Sequence, residues 1–272
     1  VKIFLGPAGI PLSCEKADTL EGVKKVAKIG LNAMEVEFVH GVYMKKNMAE
    51  QVGDMARELG VRLSIHAPYY INLASEKKET IAASRKRIFD CADIGESMGA
   101  DAIAIHSAFY GNFEKEKVYE IVKEQLLKIL DDMRSAGIKN ISLGIETMAK
   151  QSQFGTLEET LKLHKEVKQV VPYIDWAHLF VRGGGFVDYS DVLRKLKAAK
   201  INHINSHFEG VAKNKKGEWV DVHTPINEPK FEPLAHEILK NKVNITIISE
   251  SPLLEEDSIR MKKAFEKAGY DF

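Results

Sequence analysis

A single pattern constrains what this chain can fold into: a short β-branched or apolar run followed by a longer charged stretch with helical spacing, repeated along nearly its whole length. The apolar runs are Lys2–Leu5, Ala33–Phe38, Arg62–His66, Ala102–His106, Ile141–Glu146, Val170–Asp175, Ile201–His207 and Asn244–Glu250. Helix-like stretches lie between them at Gly22–Ile29, Met48–Leu59, Thr80–Met98, Lys115–Ala136, Leu157–Lys168, Tyr189–Ala199, Phe231–Leu239 and Ser258–Ala268. In Lys115–Ala136, Val118, Ile121, Val122, Leu126, Ile129, Leu130 and Met133 form a one-face stripe suited to covering a sheet. Eight such units in 272 residues, with strands apolar throughout, predict an α/β fold with a parallel sheet closed into a (β/α)8 barrel. A doubly wound open sheet is the alternative, since periodicity does not encode closure. No glycine-rich phosphate loop follows the first strand, which disfavours the open nucleotide-binding form.

Gly30, Gly60, Gly99 and Gly137 sit where helices should end, as C-terminal glycines do. No linker rich in Pro, Gly or Ser divides the chain, so a single domain over residues 1–272 is expected. No stretch approaches the roughly 18 apolar residues of a membrane span, so no membrane partner is expected. The opening run Val1–Cys14 lacks the basic flank and cleavage site of a signal peptide, and Cys14 and Cys91 make no disulfide framework. A reducing cytoplasmic setting is the expectation. Basic and acidic residues balance at 39 each, so no global positive field draws the chain to nucleic acid.

The chemistry lies where the strands stop. Six of the eight predicted strands end on a residue that binds metal or carries protons: His66, His106, Glu146, Asp175, His207 and Glu250. In a barrel such ends converge on one face. A lone histidine or glutamate at a strand end is ordinarily a hydrogen-bonded or solvated side chain. Six together would repel and resist desolvation unless cations joined them. Asp175-Trp176-Ala177-His178 adds an imidazole just past one strand, and Asp221-Val222-His223 puts a carboxylate and an imidazole on one side of an extended segment. The nine candidates exceed the four or so that one ion uses and suit two or three ions sharing a bridging carboxylate. Imidazole and carboxylate without thiolate suit zinc or manganese.

The segment Ser64-Ile65-His66-Ala67-Pro68-Tyr69-Tyr70-Ile71-Asn72-Leu73-Ala74 resembles the endonuclease IV family, within the xylose-isomerase-like TIM-barrel superfamily. The resemblance spans nearly the whole chain and finds a ligand at every metal position of that family. It implies a first zinc on His66, His106 and Glu146, with Glu146 bridging to a second on Asp175, His207 and Glu250. A third would lie on His178, Asp221 and His223, with Glu146 and Glu250 as the catalytic carboxylates. His203 is a neighbouring option, but the spacing of His207 to Asp221 is nearer the family's. The chain departs from the family in Asp175-Trp176-Ala177-His178, in His106-Ser107-Ala108, and in a loop Val39–Tyr43 without a DNA-inserting arginine.

The activity implied is hydrolysis of the phosphodiester 5′ to an abasic site in double-stranded DNA, by a monomer. Zinc lowers the pKa of bound water and clamps phosphodiester oxygens. Three zinc ions at about +6, four carboxylates at about −4 and a hydroxide at about −1 would leave roughly +1 to receive phosphate. Tyr69 and Tyr70 could wedge into the duplex, and Arg182 and Lys213 could touch phosphates. Gly217, in the insert carrying Lys213, Lys215, Lys216 and Trp219, equally suggests a hairpin tip. The main competing reading is a sugar isomerase or epimerase using one or two metals on Glu146, Asp175, His207 and Glu250. A lesion-binding barrel without catalysis is a third.

Overall fold

Strands that pair in parallel cannot be joined by hairpins, so each must be followed by a crossover, and helices supply it. The computed structural model describes residues 1–272 and bears this out. In chain order the first half comprises β1 (Ile3–Pro7), α1 (Thr19–Lys28), β2 (Ala33–Glu37), α2 (Lys46–Leu59), β3 (Arg62–His66), α3 (Lys78–Met98), β4 (Ala102–Ile105), α4 (Lys115–Ser135) and β5 (Ser142–Glu146). Then follow α5 (Leu157–Glu166), β6 (Val170–Asp175), α6 (Trp176–Arg182), α7 (Tyr189–Ala198), β7 (Ile204–Phe208), β8 (Gly210–Lys213), β9 (Trp219–Thr224), α8 (Glu232–Asn241), β10 (Ile245–Ser249) and α9 (Glu255–Lys267).

The eight-stranded sheet runs β1-β10-β7-β6-β5-β4-β3-β2, with parallel neighbours throughout. Its two ends meet. Asn32 donates its backbone N–H to Leu5 O at 3.1 Å, and Gly9 donates to Glu35 O at 2.9 Å, closing β1 onto β2. Gly6 makes the seam possible, because a Cβ there would lie 1.6 Å from the carbonyl oxygen of Ala33. The closed barrel, not the open sheet, is the fold.

A core of 61 buried residues fills the space between sheet and helices. Each fully buried aliphatic side chain in it contributes about 1.5–3 kcal/mol. Helix α4 turns Val118, Val122, Leu126, Ile129, Leu130 and Met133 inward, as the stripe in its sequence requires. Gly60 and Gly99 close α2 and α3 in the left-handed conformation. None of the helices is long and apolar enough to cross a membrane.

Two features differ from the sequence expectation. The seventh barrel strand starts at Ile204, not Ile201, and runs one residue past His207. The segments after Asp175 and His207 are structured: α6 follows the first, and an antiparallel β8–β9 hairpin follows the second. Gly217 is in the left-handed region (φ +80°) at the hairpin tip. Asp221 and His223 are both on β9, so the i, i+2 spacing does place them on one side.

Candidate metal centre

The candidate metal-ligating side chains at the barrel mouth have local reasons for their positions. His66 and Glu146 are the last residues of β3 and β5, and His106 and Glu250 directly follow β4 and β10. Asp175 ends β6 and also caps α6, accepting the His178 backbone N–H on Oδ1 at 2.6 Å. That cap accounts for the Asp-x-x-His spacing: the aspartate that starts the helix sets the histidine on its first turn. The second oxygen, Asp175 Oδ2, remains free and lies 3.5 Å from His178 Nδ1 and 3.9 Å from His207 Nδ1.

The ligand atoms converge in three groups, each with members within 4.8 Å of one another: His66, His106 and Glu146; Glu146, Asp175, His207 and Glu250; and His178, Glu209, Asp221 and His223. Glu146 belongs to two groups. Its Oε2 is 3.0 Å from His106 Nε2 and 3.7 Å from His66 Nε2, and its Oε1 is 3.5 Å from His207 Nδ1. All nine residues singled out from the sequence are therefore brought to one end of the barrel. His203 is elsewhere, with Nε2 2.8 Å from Thr246 Oγ1, so the geometry favours His207.

Four imidazoles are oriented by a partner on one ring nitrogen. His66 Nδ1 is 2.7 Å from Ala67 O, His178 Nδ1 is 2.9 Å from Thr147 O, His207 Nε2 is 2.7 Å from Glu35 Oε1, and His223 Nδ1 is 3.1 Å from Glu250 O. Assigning the donated proton to that nitrogen leaves the other nitrogen as a lone-pair ligand facing the groups above. Those facing atoms lack hydrogen bonds although they are buried: His66 Nε2, His106 Nε2, His178 Nε2, His207 Nδ1, both Glu146 oxygens and Asp175 Oδ2. Native interiors rarely leave polar atoms so. Cations among them would satisfy every one, so the residues fit divalent metal.

The electrostatics of the metal-free chain agree. Burial opposes charge on His66, but Glu146, Glu37 and Glu250 lift its pKa to about 10. His178 and His207 are also held well above the ordinary imidazole value, against burial, by Asp175 and Glu250 respectively among other carboxylates. A basin that holds protons this firmly is one that metal ions would enter by displacing them.

Three carboxylates here escaped the sequence reading. Glu35, on β2, is fully buried; burial opposes its charge, but His207 holds it down at about 2. Its Oε2 also accepts from Ser64 and Tyr173, each at 2.7 Å. Glu37 points the same way, with Oε1 buried and unpartnered, and burial pushes its carboxyl up to about 8. Glu209 joins the His178 group. The signal was alternation: Glu35-Val36-Glu37 and His207-Phe208-Glu209 put two functional groups on one face of an extended chain, as Asp221-Val222-His223 does.

The expected DNA-contacting residues fare unequally. Tyr69 is half exposed over the mouth, its ring 5.4 Å from that of His66 and 6.0 Å from that of His106. Tyr70 is exposed further out, stacked on His40 at 6.4 Å. Lys213 lies over the Trp219 ring at 4.9 Å, beside a cleft of about 640 Å³ that Asp221 also lines. Arg182 Nη1 donates to Met148 O and Lys150 O at 2.8 Å, which makes it a clamp between α6 and the loop after β5. It also lines the cleft beside Lys213.

The family profile described as xylose isomerase-like TIM barrel matches residues 23–266. The chain belongs to this family. An uncharacterised protein of Methanocaldococcus jannaschii is 32% identical, with 97% of both chains covered. A probable endonuclease 4 of Mycoplasma mobile is 28% identical over 73% of this chain and 72% of its own. The structure of endonuclease IV from Thermus thermophilus superposes with a TM-score of 0.70 at 20% identity, covering 96% of this chain and 98% of that one. A D-tagatose 3-epimerase-like protein superposes with a TM-score of 0.72 at 19% identity, covering 98% and 96%. At those identities the two structures establish the barrel and leave its chemistry to the site.

Proposed function

We propose that this protein is a metal-dependent endonuclease that hydrolyses DNA 5′ to abasic sites, with three divalent ions, zinc foremost and manganese possible in part. The observation that carries this reading is the third ligand group. His178, Asp221 and His223 stand beside two groups already joined through Glu146, and a one- or two-ion isomerase has no use for them. The probable endonuclease 4 relative of Mycoplasma mobile supports the same reading.

Divalent ions at such a centre supply a water of lowered pKa and an electrostatic clamp for a phosphodiester. The chain's residues do the rest. His66, His106 and Glu146 would hold one ion; Glu146, Asp175, His207 and Glu250 a second; His178, Asp221 and His223 a third. Thr147 O and Glu35 fix the tautomers of His178 and His207, so the ligand nitrogens stay aimed at the ions. Tyr69, at the mouth beside His66 and His106, is positioned to stack against an unpaired or distorted nucleotide and to exclude water from the reacting phosphate.

The second reading, a sugar isomerase or epimerase, is favoured by Glu37. A buried carboxyl kept neutral up to about 8 beside Glu35, His66 and Glu250 could exchange a proton with a small substrate. The double substitution Asp221→Ala with His223→Ala separates the readings. In the endonuclease it removes about one metal equivalent and most abasic-DNA cleavage while the barrel survives, because β9 is outside the barrel. In the isomerase, metal content and activity are unchanged, and stability shifts by no more than about 0.5 kcal/mol.

A further inference from the structure

Glu209 has no place in the ligand set outlined above, and its surroundings demand one. It sits between β7 and β8, fully buried, and neither carboxylate oxygen has a hydrogen-bond partner. One of those oxygens is within 4.8 Å of ligand atoms of His178, Asp221 and His223. Asp221 Oδ1, itself buried and without a hydrogen bond, is 3.4 Å from both His178 Nε2 and His223 Nε2. Two carboxylates and two imidazole nitrogens thus surround one point, with no backbone N–H or hydroxyl among them to share the charge.

We infer that Glu209 is a fourth protein ligand of the ion held by His178, Asp221 and His223, and that this closes the site. The inference rests on the three-ion reading and refines it. Four protein ligands fill the tetrahedral shell of one zinc ion. Two neutral imidazoles and two carboxylates also cancel the charge of a divalent cation, so this position offers no net attraction to phosphate. The whole centre, at about +6 from three ions against five carboxylates and a hydroxide, becomes roughly neutral. The ion so enclosed would anchor the β8–β9 hairpin to α6 at the rim. Trp219 supports that anchoring from the far side, packed so tightly on Gly185 that a Cβ there would lie 2.3 Å from its Nε1.

Glu209→Gln and Asp221→Ala are compared with the unaltered chain by zinc content across a series of chelator concentrations, and by thermal midpoint with and without zinc. The unaltered chain should hold three equivalents. In Glu209→Gln one equivalent should be released at chelator concentrations lower by more than the ~10–100-fold typical of an outer-shell change, with the other two unmoved. Without zinc the order of stability should invert: the glutamine variant should melt higher than the unaltered chain, because an amide avoids burying an unpaired carboxylate. Release curves that coincide for Glu209→Gln and the unaltered chain would overturn the role of Glu209 while leaving three ions in place. An unaltered chain holding two equivalents or fewer, with Asp221→Ala matching it, would overturn the three-ion reading and this inference together. Should Glu209→Gln fail to fold, Glu209→Asp keeps the charge with a shorter reach, and its release curve must shift in the same direction.

Discussion

His207 donates its Nε2–H to Glu35 Oε1 across 2.7 Å, and this one bond turns Nδ1 toward Glu146, Glu250 and Asp175 at 3.5, 3.7 and 3.9 Å. The carboxylate sits on β2 and the imidazole on β7, so the bond spans the barrel interior. Ser64 and Tyr173 hold Glu35 in turn, and a chain of buried polar groups thereby fixes the aim of a candidate ligand.

Replacing Glu35 with Gln should therefore weaken metal binding without removing a ligand. The expected loss is about 10–100-fold in affinity, the range for a partner that orients a metal histidine. Zinc titration of the metal-free protein measures it. An unchanged affinity would mean that His207 is aimed by packing alone.

Glu146→Gln should cost far more activity on an abasic duplex than Tyr70→Ala. Glu146 serves two ligand groups, whereas Tyr70 is exposed and stacked only on His40. Tyr70→Ala should lose about 1–3 kcal/mol of DNA binding, as one stacked base does. Comparable losses in steady-state cleavage would remove Glu146 as a bridge.

Gly185→Ala tests the support of the hairpin. The position has φ +101°, and the new Cβ would meet the indole of Trp219. Overpacking of this kind costs about 1–3 kcal/mol, and strain at positive φ adds to it. The thermal midpoint should fall, and one zinc equivalent should become easier to extract while two do not. A variant that holds all three as firmly as before would show that the contact is incidental to the site.

His203 should affect acid stability and leave metal alone. Burial, with Arg62 nearby, pushes its pKa down to about 4. A histidine depressed below its unfolded value of about 6.5 contributes stability that is present above that value and lost as pH falls through the folded one. His203→Gln should flatten the pH dependence of the thermal midpoint between about 6.5 and 4, with zinc content unchanged. Loss of zinc in this variant would reverse the choice of His207 as ligand.

The barrel was legible because its strands are apolar on both faces and its helices carry a stripe on one, and those periods survive in the sequence at Lys115–Ser135 and its counterparts. Closure was expected from the count of eight units and is borne out, while the contact that makes it, Gly6 against the carbonyl of Ala33, leaves no mark in the periodicity. Six of the nine candidate ligands were legible because strand ends converge, and the other three from their Asp-x-x-His and Asp-x-His spacing. Glu35, Glu37 and Glu209 were missed for a related reason: they lie within or just beyond strands whose ends were judged by their last residue, while inward direction is set by alternation. Arg182 looked free because a sequence does not reveal that three loop carbonyls await its guanidinium.

The most direct test is incubation of the zinc-loaded protein with a duplex bearing one abasic analogue, followed by mapping of the cut strand. A single break 5′ to the lesion that leaves a 3′-hydroxyl, abolished by Glu146→Gln, is the expected result. An intact duplex, from protein shown to carry its metal and to interconvert a ketose, would contradict it.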